Sequence, residues 1–250
     1  SKDEIFLKIN EYKDLYNSYG GKKIRLIFYG EEYYALYPSE TLFPSEDLYP
    51  AEMDEEAIGF VIDDSMVQTD TLTISESLCS DEDLNFGACE CSQMEITVSG
   101  LSQNIAGKEF LLTESFGGYE MVMGLYTVDS TPKQGDKDTR KIIAYDRMKR
   151  FDADVSGWYN LVDFPISLKD FRKSLCEFVE VPEFPDDLVN DDMVIEKTLD
   201  PTSLKGRDML QYICQINGVF GSINKNGQLQ YISVPKKDDV MDEVKVYQSV

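Results

Sequence analysis

The stretch from Leu199 to Ile232, LDPTSLKGRDMLQYICQINGVFGSINKNGQLQYI, contains the clearest structural signals of the chain. Apolar residues recur in it at the spacing of one helix face. They are Met209, Leu210, Ile213, Cys214 and Ile216. Thr202 or Ser203 is a candidate N-cap. Gly218 follows the last apolar residue, and the residue that ends a helix often has a left-handed backbone conformation, which glycine adopts easily. The pattern therefore predicts a helix that ends at Gly218.

A β-hairpin is predicted directly after this helix. Residues 219–223 form a short apolar run, and Leu229 and Tyr231 alternate with glutamines. Asn226-Gly227 between two such runs is a strong signal for a tight hairpin turn. The helix and hairpin together look like a packing unit, and the residues alone indicate a soluble α+β scaffold without a reaction centre.

The N-terminal part of the chain combines a predicted helix with an unusual repeat. Residues 3–18 place apolar side chains on one helical face, so residues 1–19 are predicted to form an N-terminal helix. Residues 37–52 repeat an aromatic-Pro-Ser/Ala-Glu motif three times, with a proline at every sixth position. Proline at that spacing forbids a helix and most strand pairing. Two interpretations stay open for this Pro-rich loop: it covers a sheet edge, or it is a partner-binding arm.

From residue 58 the pattern favours β structure. Polar and apolar residues alternate in several short runs separated by turn residues, which is typical of a barrel or sandwich. The clearest of these runs lie at 71–75, 94–98, 110–113, 119–129 and 140–144, and a further strand is predicted before the Pro-rich loop at 22–29. We therefore expect residues 20–150 to form a first β-barrel-like domain that contains the Pro-rich loop.

The character of the sequence changes near Asp146. Residues 151–200 are expected to form a mixed helical insertion that contains Trp158, an acidic loop and a strand at 193–198. Ser167 and Asp170 approximate a capping pair for its main helix. Residues 201–250 are expected to supply the helix and hairpin of a second, incomplete barrel-like domain. The predicted fold class is therefore α+β, mostly β.

The charge balance limits the kinds of partner. The chain has 47 acidic and 24 basic residues, a net charge of −23. Such a surface repels phosphate backbones, so sequence-specific nucleic-acid binding is not expected. The acidic residues are explained by solubility, or by a surface along which DNA slides without sticking.

No run of 18 apolar residues is present, so no membrane span is predicted. The ends at Ser1 and Val250 lead us to expect a longer native protein.

Few residue patterns in the chain suggest chemistry. The sequence contains no histidine, which excludes histidine-based triads within it, and no P-loop, dinucleotide or HExxH motif is present. Cys89 and Cys91 lack the second pair that zinc requires, while the acidic residues at 186–187 and 190–192 lack EF-hand spacing for calcium. The plentiful carboxylates leave a glycosidase-type acid pair open on composition, but no pair stands out from the acidic background. We predict no enzyme activity and assign no catalytic, cofactor-binding or metal-binding residues.

Three stretches together resemble a known family. They are residues 73–92 (TISESLCSDEDLNFGACECS), residues 124–129 (GLYTVD) with 140–147 (RKIIAYDR), and residues 204–218 (LKGRDMLQYICQING). In order and spacing they are similar to the tail hub proteins of phages and prophages of Gram-positive bacteria, the baseplate-hub-like N-terminal region of tail-associated proteins. The resemblance covers roughly residues 20–232. The Pro-rich loop and the N-terminal helix depart from the family pattern.

The resemblance implies two β-barrel-like domains with a small helical insertion. It also implies a homotrimeric ring in the virion tail tip, below the tail tube, through which DNA and the tape-measure protein pass. Its partners would be the tail tube or distal tail ring protein and the tape-measure protein, and synthesis would take place in the bacterial cytoplasm. Two alternatives stay open: an N-terminal scaffold of a cell-wall-degrading enzyme, and a glycan-binding adhesion module that uses Trp158 or the aromatic-Pro repeat.

Overall fold

A computed structural model describes residues 21–29, 58–79, 85–116, 119–135, 138–198 and 200–234. The predicted N-terminal helix at 1–19, the Pro-rich loop at 37–52 and residues 235–250 of the expected second domain lie outside these ranges. Within them, no helix is both long enough and apolar enough to cross a membrane.

Seven antiparallel strands form one large sheet. They are β1 (Lys23–Tyr29), β2 (Ile58–Ile62), β3 (Thr73–Ser75), β4 (Gln93–Ser99), β5 (Glu109–Phe116), β6 (Tyr119–Ser130) and β7 (Thr139–Tyr145). The strand order is β2-β1-β5-β6-β7-β4-β3, so β2 and β3 are the two edges. No pairing joins these edges in the described part of the chain, and the sheet is open. The expected closure into a barrel therefore stays a prediction.

One face of this sheet carries a hydrophobic core, as the alternation of residue types predicts. In β4, Met94, Ile96 and Val98 are fully buried while the residues between them are only half-buried. Phe28 and Phe60 stack across β1 and β2 with their ring centroids 4.2 Å apart. This core, which also receives side chains from β5, β6 and β7, is called the sheet core below.

The chain then leaves the sheet and forms a second body, called the helix–hairpin unit. Its elements are a 3₁₀ helix (Arg147–Asp152), α1 (Ser156–Leu161), β8 (Ile166–Ser167), α2 (Leu168–Phe178), β9 (Val194–Ile195), α3 (Gly206–Asn217), β10 (Val219–Ile223) and β11 (Leu229–Ser233). Residues from α1, α2, α3 and the β10–β11 hairpin share one hydrophobic core. The predicted α+β class, mostly β, is confirmed, whereas the predicted domain boundaries at 150 and 200 stay predictions.

Several local predictions for this unit are confirmed. Helix α3 ends at Gly218, which has a φ of 64°, and the hairpin pairs Val219 with Ser233 and Ile223 with Leu229. Ser167 caps α2 by accepting a hydrogen bond from the Asp170 backbone N–H at 3.0 Å.

Two boundary predictions are wrong. Neither Thr202 nor Ser203 caps α3, because the helix begins at Gly206 after Lys205 and has no side-chain cap. The Gly206 N–H donates to the Ala153 carbonyl at 3.1 Å, so contact with residues 153–155 determines where the helix begins. The strand predicted at 193–198 contains only residues 194–195, because Met193 closes a turn and the sheet partner of this strand is two residues long.

Candidate functional site at the joint between the two cores

The sheet core and the helix–hairpin unit meet through buried polar groups. We call this contact the joint and define it by Ser92, Glu109, Asp146, Arg147 and Gly227. Arg147 begins the 3₁₀ helix and donates to Glu109 on β5, from Nε to Oε1 at 2.8 Å and from Nη2 to Oε2 at 2.7 Å. Its Nη1 also donates to the Gly227 carbonyl of the hairpin turn at 3.3 Å. One guanidinium therefore connects the sheet, the 3₁₀ helix and the hairpin.

Glu109 receives a second arginine. Arg150 Nη2 lies 3.3 Å from Glu109 Oε1, and its Nη1 donates to the Glu180 carbonyl at 2.7 Å. The side chains of Arg147 and Glu109 are only 4% and 7% exposed. A buried pair with planar bidentate geometry defines orientation more strongly than an apolar contact, although its net contribution to stability is smaller than its Coulomb energy suggests.

Asp146 forms the other half of the joint. Its carboxylate accepts hydrogen bonds from the Ser92 N–H at 3.0 Å, the Met148 N–H at 3.0 Å and the Cys91 thiol at 3.2 Å. Burial raises the pKa of Asp146 to about 6, and these donors offset only part of that effect. Asp146 therefore caps the 3₁₀ helix and holds the segment that enters β4.

The thiol beside Asp146 is not an activated nucleophile. Burial and the adjacent Asp146 charge raise the pKa of Cys91 to about 12. A catalytic cysteine requires the opposite, because the thiolate is the reacting form. Burial likewise raises the pKa of Tyr126, whose hydroxyl lies 3.4 Å from the Ser92 hydroxyl, to about 12. The joint therefore provides hydrogen bonds and fixed geometry rather than a proton-transfer pair.

A second buried ion cluster organises the acidic loop at 181–192. Arg172 on α2 donates to both oxygens of Asp191 at 2.9 Å, and its Nη1 lies 2.5 Å from Glu183. Burial alone would lower the pKa of Arg172, but hydrogen bonds with Asp191 and Glu183 outweigh it and raise the pKa. The Tyr231 hydroxyl donates to Glu183, which connects the cluster to β11.

Two of the candidate calcium ligands, Asp187 and Asp191, are paired with basic side chains. Asp191 is paired with Arg172, and Asp187 forms a salt bridge with Lys169 at 2.5 Å. The acidic loop is not solvated throughout, because Asp191 is buried with this arginine. Among the described residues, no group of three or more Cys, Asp or Glu side chains is arranged to hold a metal ion.

Trp158 lies in the core of the helix–hairpin unit. It is 8% exposed, its ring is 5.1 Å from that of Phe171, and its Nε1 donates to the Ser174 hydroxyl at 2.9 Å. A sugar-stacking platform must present its face to solvent. The position of Trp158 therefore opposes its proposed role in a glycan-binding module.

The described residues also line a small polar cavity of about 200 Å³ beside α3, which is open to solvent on one side. Its wall contains Cys79, Asn85, Gly87, Ala88, Glu90, Gln211 and Gln215. Gly87 has a φ of 93°, and a Cβ there would meet the Gln215 side chain, so the segment before β4 approaches α3 closely.

Sequence reasoning missed the buried ion pairs, although one of them has a visible signal. Arg172 lies on the same helical stripe as Leu168, Phe171 and Leu175, where an apolar residue is expected. A charged residue within an apolar stripe indicates a buried partner. Glu109 and Arg147 have no comparable signal, because strand order brings them together.

The chain was compared with known proteins. No family model and no curated protein matches it. Its fold is similar to the 43 kDa tail protein of prophage MuSo2 from Shewanella oneidensis, with a TM-score of 0.45, 12% identity, and coverage of 59% of this chain and 48% of that one. It is also similar to the tail protein from Neisseria meningitidis MC58, with a TM-score of 0.40, 10% identity, and coverage of 56% and 41%. The matched region thus spans about half of the first protein's length and somewhat less than half of the second's. At these TM-scores the likeness by itself assigns neither a family nor a function.

Proposed function

We propose that this chain is a structural component of a phage or prophage tail and belongs to the hub of the tail tip. The observation that carries the proposal is spatial. The three stretches that resemble tail hub proteins are far apart in sequence, yet they meet at and beside the joint.

Direct contacts connect the three stretches. The Ser92 N–H of the first donates to Asp146 of the second at 3.0 Å. Arg207 of the third donates to the Cys89 carbonyl of the first at 2.7 Å. The Cys89 and Cys214 sulfurs, from the first and third stretches, lie 3.7 Å apart. A resemblance carried by residues that form one structural feature is more specific than the same residues scattered over a surface.

The chemistry of the described residues fits a scaffold. The buried carboxylates at the joint and on the acidic loop are paired with arginines or backbone donors, and the Cys91 thiol is kept protonated. We therefore propose that residues 1–250 have no catalytic activity, even if a longer protein contains a cell-wall hydrolase. The burial of Trp158 removes one of the two supports for a glycan-binding module, and the aromatic-Pro repeat lies outside the described residues.

The proposed assembly is a homotrimeric ring between the tail tube or distal tail ring protein and the tip. The tape-measure protein and DNA would pass through its channel. The net charge of −23 would suit such a channel, because an acidic wall repels DNA and does not retain it during passage.

To test the proposal, the gene is deleted from the parental phage or prophage. The deletion is then complemented either with the wild-type gene or with a copy that carries early nonsense codons. Negative-stain imaging and mass spectrometry of purified particles measure tail assembly and protein content. We expect the early-stop copy to yield particles with absent or tipless tails, and the wild-type copy to restore them. Infectious particles with normal tails that lack this protein would overturn the proposal.

Solution mass provides a second test. Light scattering of the full-length protein, alone and mixed with the tail tube or distal ring protein, should reveal a trimer in at least one of the two samples. A monomer in both samples would contradict the ring.

A further inference from the structure

Two buried cysteines form a close pair outside the joint. The Sγ atoms of Cys89 and Cys214 lie 3.7 Å apart, although the residues are 125 positions apart in the sequence. Cys89 is 1% exposed and Cys214 is fully buried. Both are thiols rather than members of a disulfide in this structure.

Backbone contacts position this pair. The segment at 87–89 runs beside β10, where the Gly87 N–H donates to the Val219 carbonyl at 2.9 Å and the Gly221 N–H donates to the Ala88 carbonyl at 3.1 Å. Gly221 faces both sulfurs: a Cβ there would lie 2.7 Å from Cys89 Sγ and 3.3 Å from Cys214 Sγ. Glycine at this position therefore leaves the space that the two sulfurs occupy.

The two sulfurs are in van der Waals contact, 3.7 Å apart, with no other atom between them to block a bond. A disulfide has an S–S length of about 2.05 Å, so bond formation requires the sulfurs to move about 1.7 Å closer together. Formation of a disulfide here would require rotation of both side chains and a shift of the 87–89 segment or of α3. We propose that Cys89 and Cys214 are a modification site for small disulfide oxidants, which convert the pair into a disulfide that joins the segment before β4 to α3.

The reaction is a two-step thiol–disulfide exchange. The thiolate of one cysteine attacks a sulfur of the oxidant R–S–S–R, which forms a mixed disulfide and releases one R–S⁻. The thiolate of the second cysteine then attacks the protein sulfur of the mixed disulfide and releases the second R–S⁻. The two cysteines lose two protons and two electrons, and the oxidant is reduced to two R–SH.

The surroundings predict a slow reaction that accelerates at alkaline pH. The hydrogen bond with Cys89, together with burial, raises the pKa of the Cys214 thiol, so its thiolate is scarce at neutral pH. The cavity of about 200 Å³ has Gly87 and Ala88 on one wall and Gln211 and Gln215 on the other, next in sequence to the two cysteines. For the proposed reaction, a small oxidant would enter from this cavity when the two walls separate.

Cys176 provides a matched control inside the same core. It is 3% exposed and belongs to the same hydrophobic cluster. Burial raises the pKa of its thiol as well. If oxidants modified buried thiols of this core without selection, Cys176 would react as well. If the contact between two sulfurs is required, Cys176 should stay unmodified.

The test uses the full chain, reduced and then treated with oxidised glutathione at pH 7 and pH 8.5 under native conditions. Remaining thiols are alkylated in denaturant and counted by intact mass, and peptide mapping identifies the bonded residues. We expect two of the five thiols to be lost, a peptide that links Cys89 to Cys214, and a faster loss at pH 8.5. Because the disulfide closes a loop of more than 100 residues, the Tm should rise by on the order of 10 °C.

Variants separate this site from other thiols. Cys176→Ala should lose two thiols as the wild type does, whereas Cys89→Ala and Cys214→Ala should not form an intramolecular disulfide. If an alanine variant fails to fold, the wild-type peptide map still decides the outcome. Five intact thiols after prolonged oxidation at pH 8.5, glutathione adducts alone, or a disulfide between another pair would overturn the proposal.

Discussion

Arg147 and Glu109 form a bidentate ion pair at the joint, with hydrogen bonds of 2.8 and 2.7 Å and both side chains almost completely buried. The two residues come from different bodies of the molecule, since Glu109 begins β5 and Arg147 begins the 3₁₀ helix. This pair is therefore one of the contacts that join the helix–hairpin unit to the large sheet.

Removal of one partner should destabilise the protein strongly. In Glu109→Ala, Arg147 stays buried without its carboxylate, and loss of one partner of a buried pair typically costs about 3–5 kcal/mol. Glu95→Ala is the matched control, because Glu95 pairs with Lys141 at the surface, where such pairs contribute at most about 1 kcal/mol. Urea unfolding measures both, and equal losses in the two variants would show that the joint is not held by this pair.

Asp146 should give the protein an unusual pH dependence. Its pKa rises from 3.8 in the unfolded chain to about 6 in the fold, so between these values the folded state binds more protons than the unfolded state. Its contribution to stability is complete below pH 3.8 and is lost as the pH rises through about 6. The loss corresponds to about 3 kcal/mol.

Asp146→Asn isolates this effect. The difference in unfolding free energy between wild type and variant should be largest at pH 4 and smaller at pH 7. Asp154→Asn is a control of opposite sign: hydrogen bonds from Ser156 lower the pKa of Asp154, so its carboxylate stabilises the fold at neutral pH and loses this effect in acid. If both differences moved in the same direction with pH, the assignment for Asp146 would be wrong.

Gly87 should tolerate no side chain. Its φ of 93° disfavours other residues, and a Cβ would lie 2.2 Å from the Gln215 Cγ and 2.9 Å from the Gln211 carbonyl oxygen. Strain and overpacking together predict a loss of about 2–4 kcal/mol for Gly87→Ala. Gly157→Ala, in α1 with no atom within 4 Å of the new Cβ, should instead be neutral or stabilising by up to about 1 kcal/mol. Thermal unfolding of both variants tests this contrast.

Local signals in the sequence were sufficient for much of the helix–hairpin unit. The apolar stripe and Gly218 predicted the end of α3, Asn226-Gly227 predicted the hairpin, and Ser167 predicted the cap of α2. Each of these features depends on residues within a few positions of one another, where capping and turn chemistry act. The start of α3 depends instead on contact with residues 153–155, which are distant in sequence, and its prediction was wrong.

The candidate site was less predictable because it is made by strand order. Glu109 and Arg147 are 38 residues apart and meet only after β5, β6 and the 3₁₀ helix are arranged in space. The sequence shows that Arg172 is a charged residue on an apolar helix stripe, which indicates a buried ion pair. It does not show that Asp191 and Glu183 are the partners. Pairing between distant elements depends on tertiary topology, which periodicity and spacing do not encode.

Trp158 should report on the helix–hairpin unit by fluorescence. It is the only tryptophan of the chain, it is 8% exposed, and its Nε1 donates to Ser174. We expect blue-shifted emission and weak quenching by iodide in the folded protein, and a red shift on unfolding, because the indole leaves an apolar core for water. Ser174→Ala should preserve the blue shift but cost about 1 kcal/mol, since the buried indole N–H loses its acceptor. Emission typical of exposed tryptophan, together with strong iodide quenching, would contradict the buried position and restore the glycan-binding alternative.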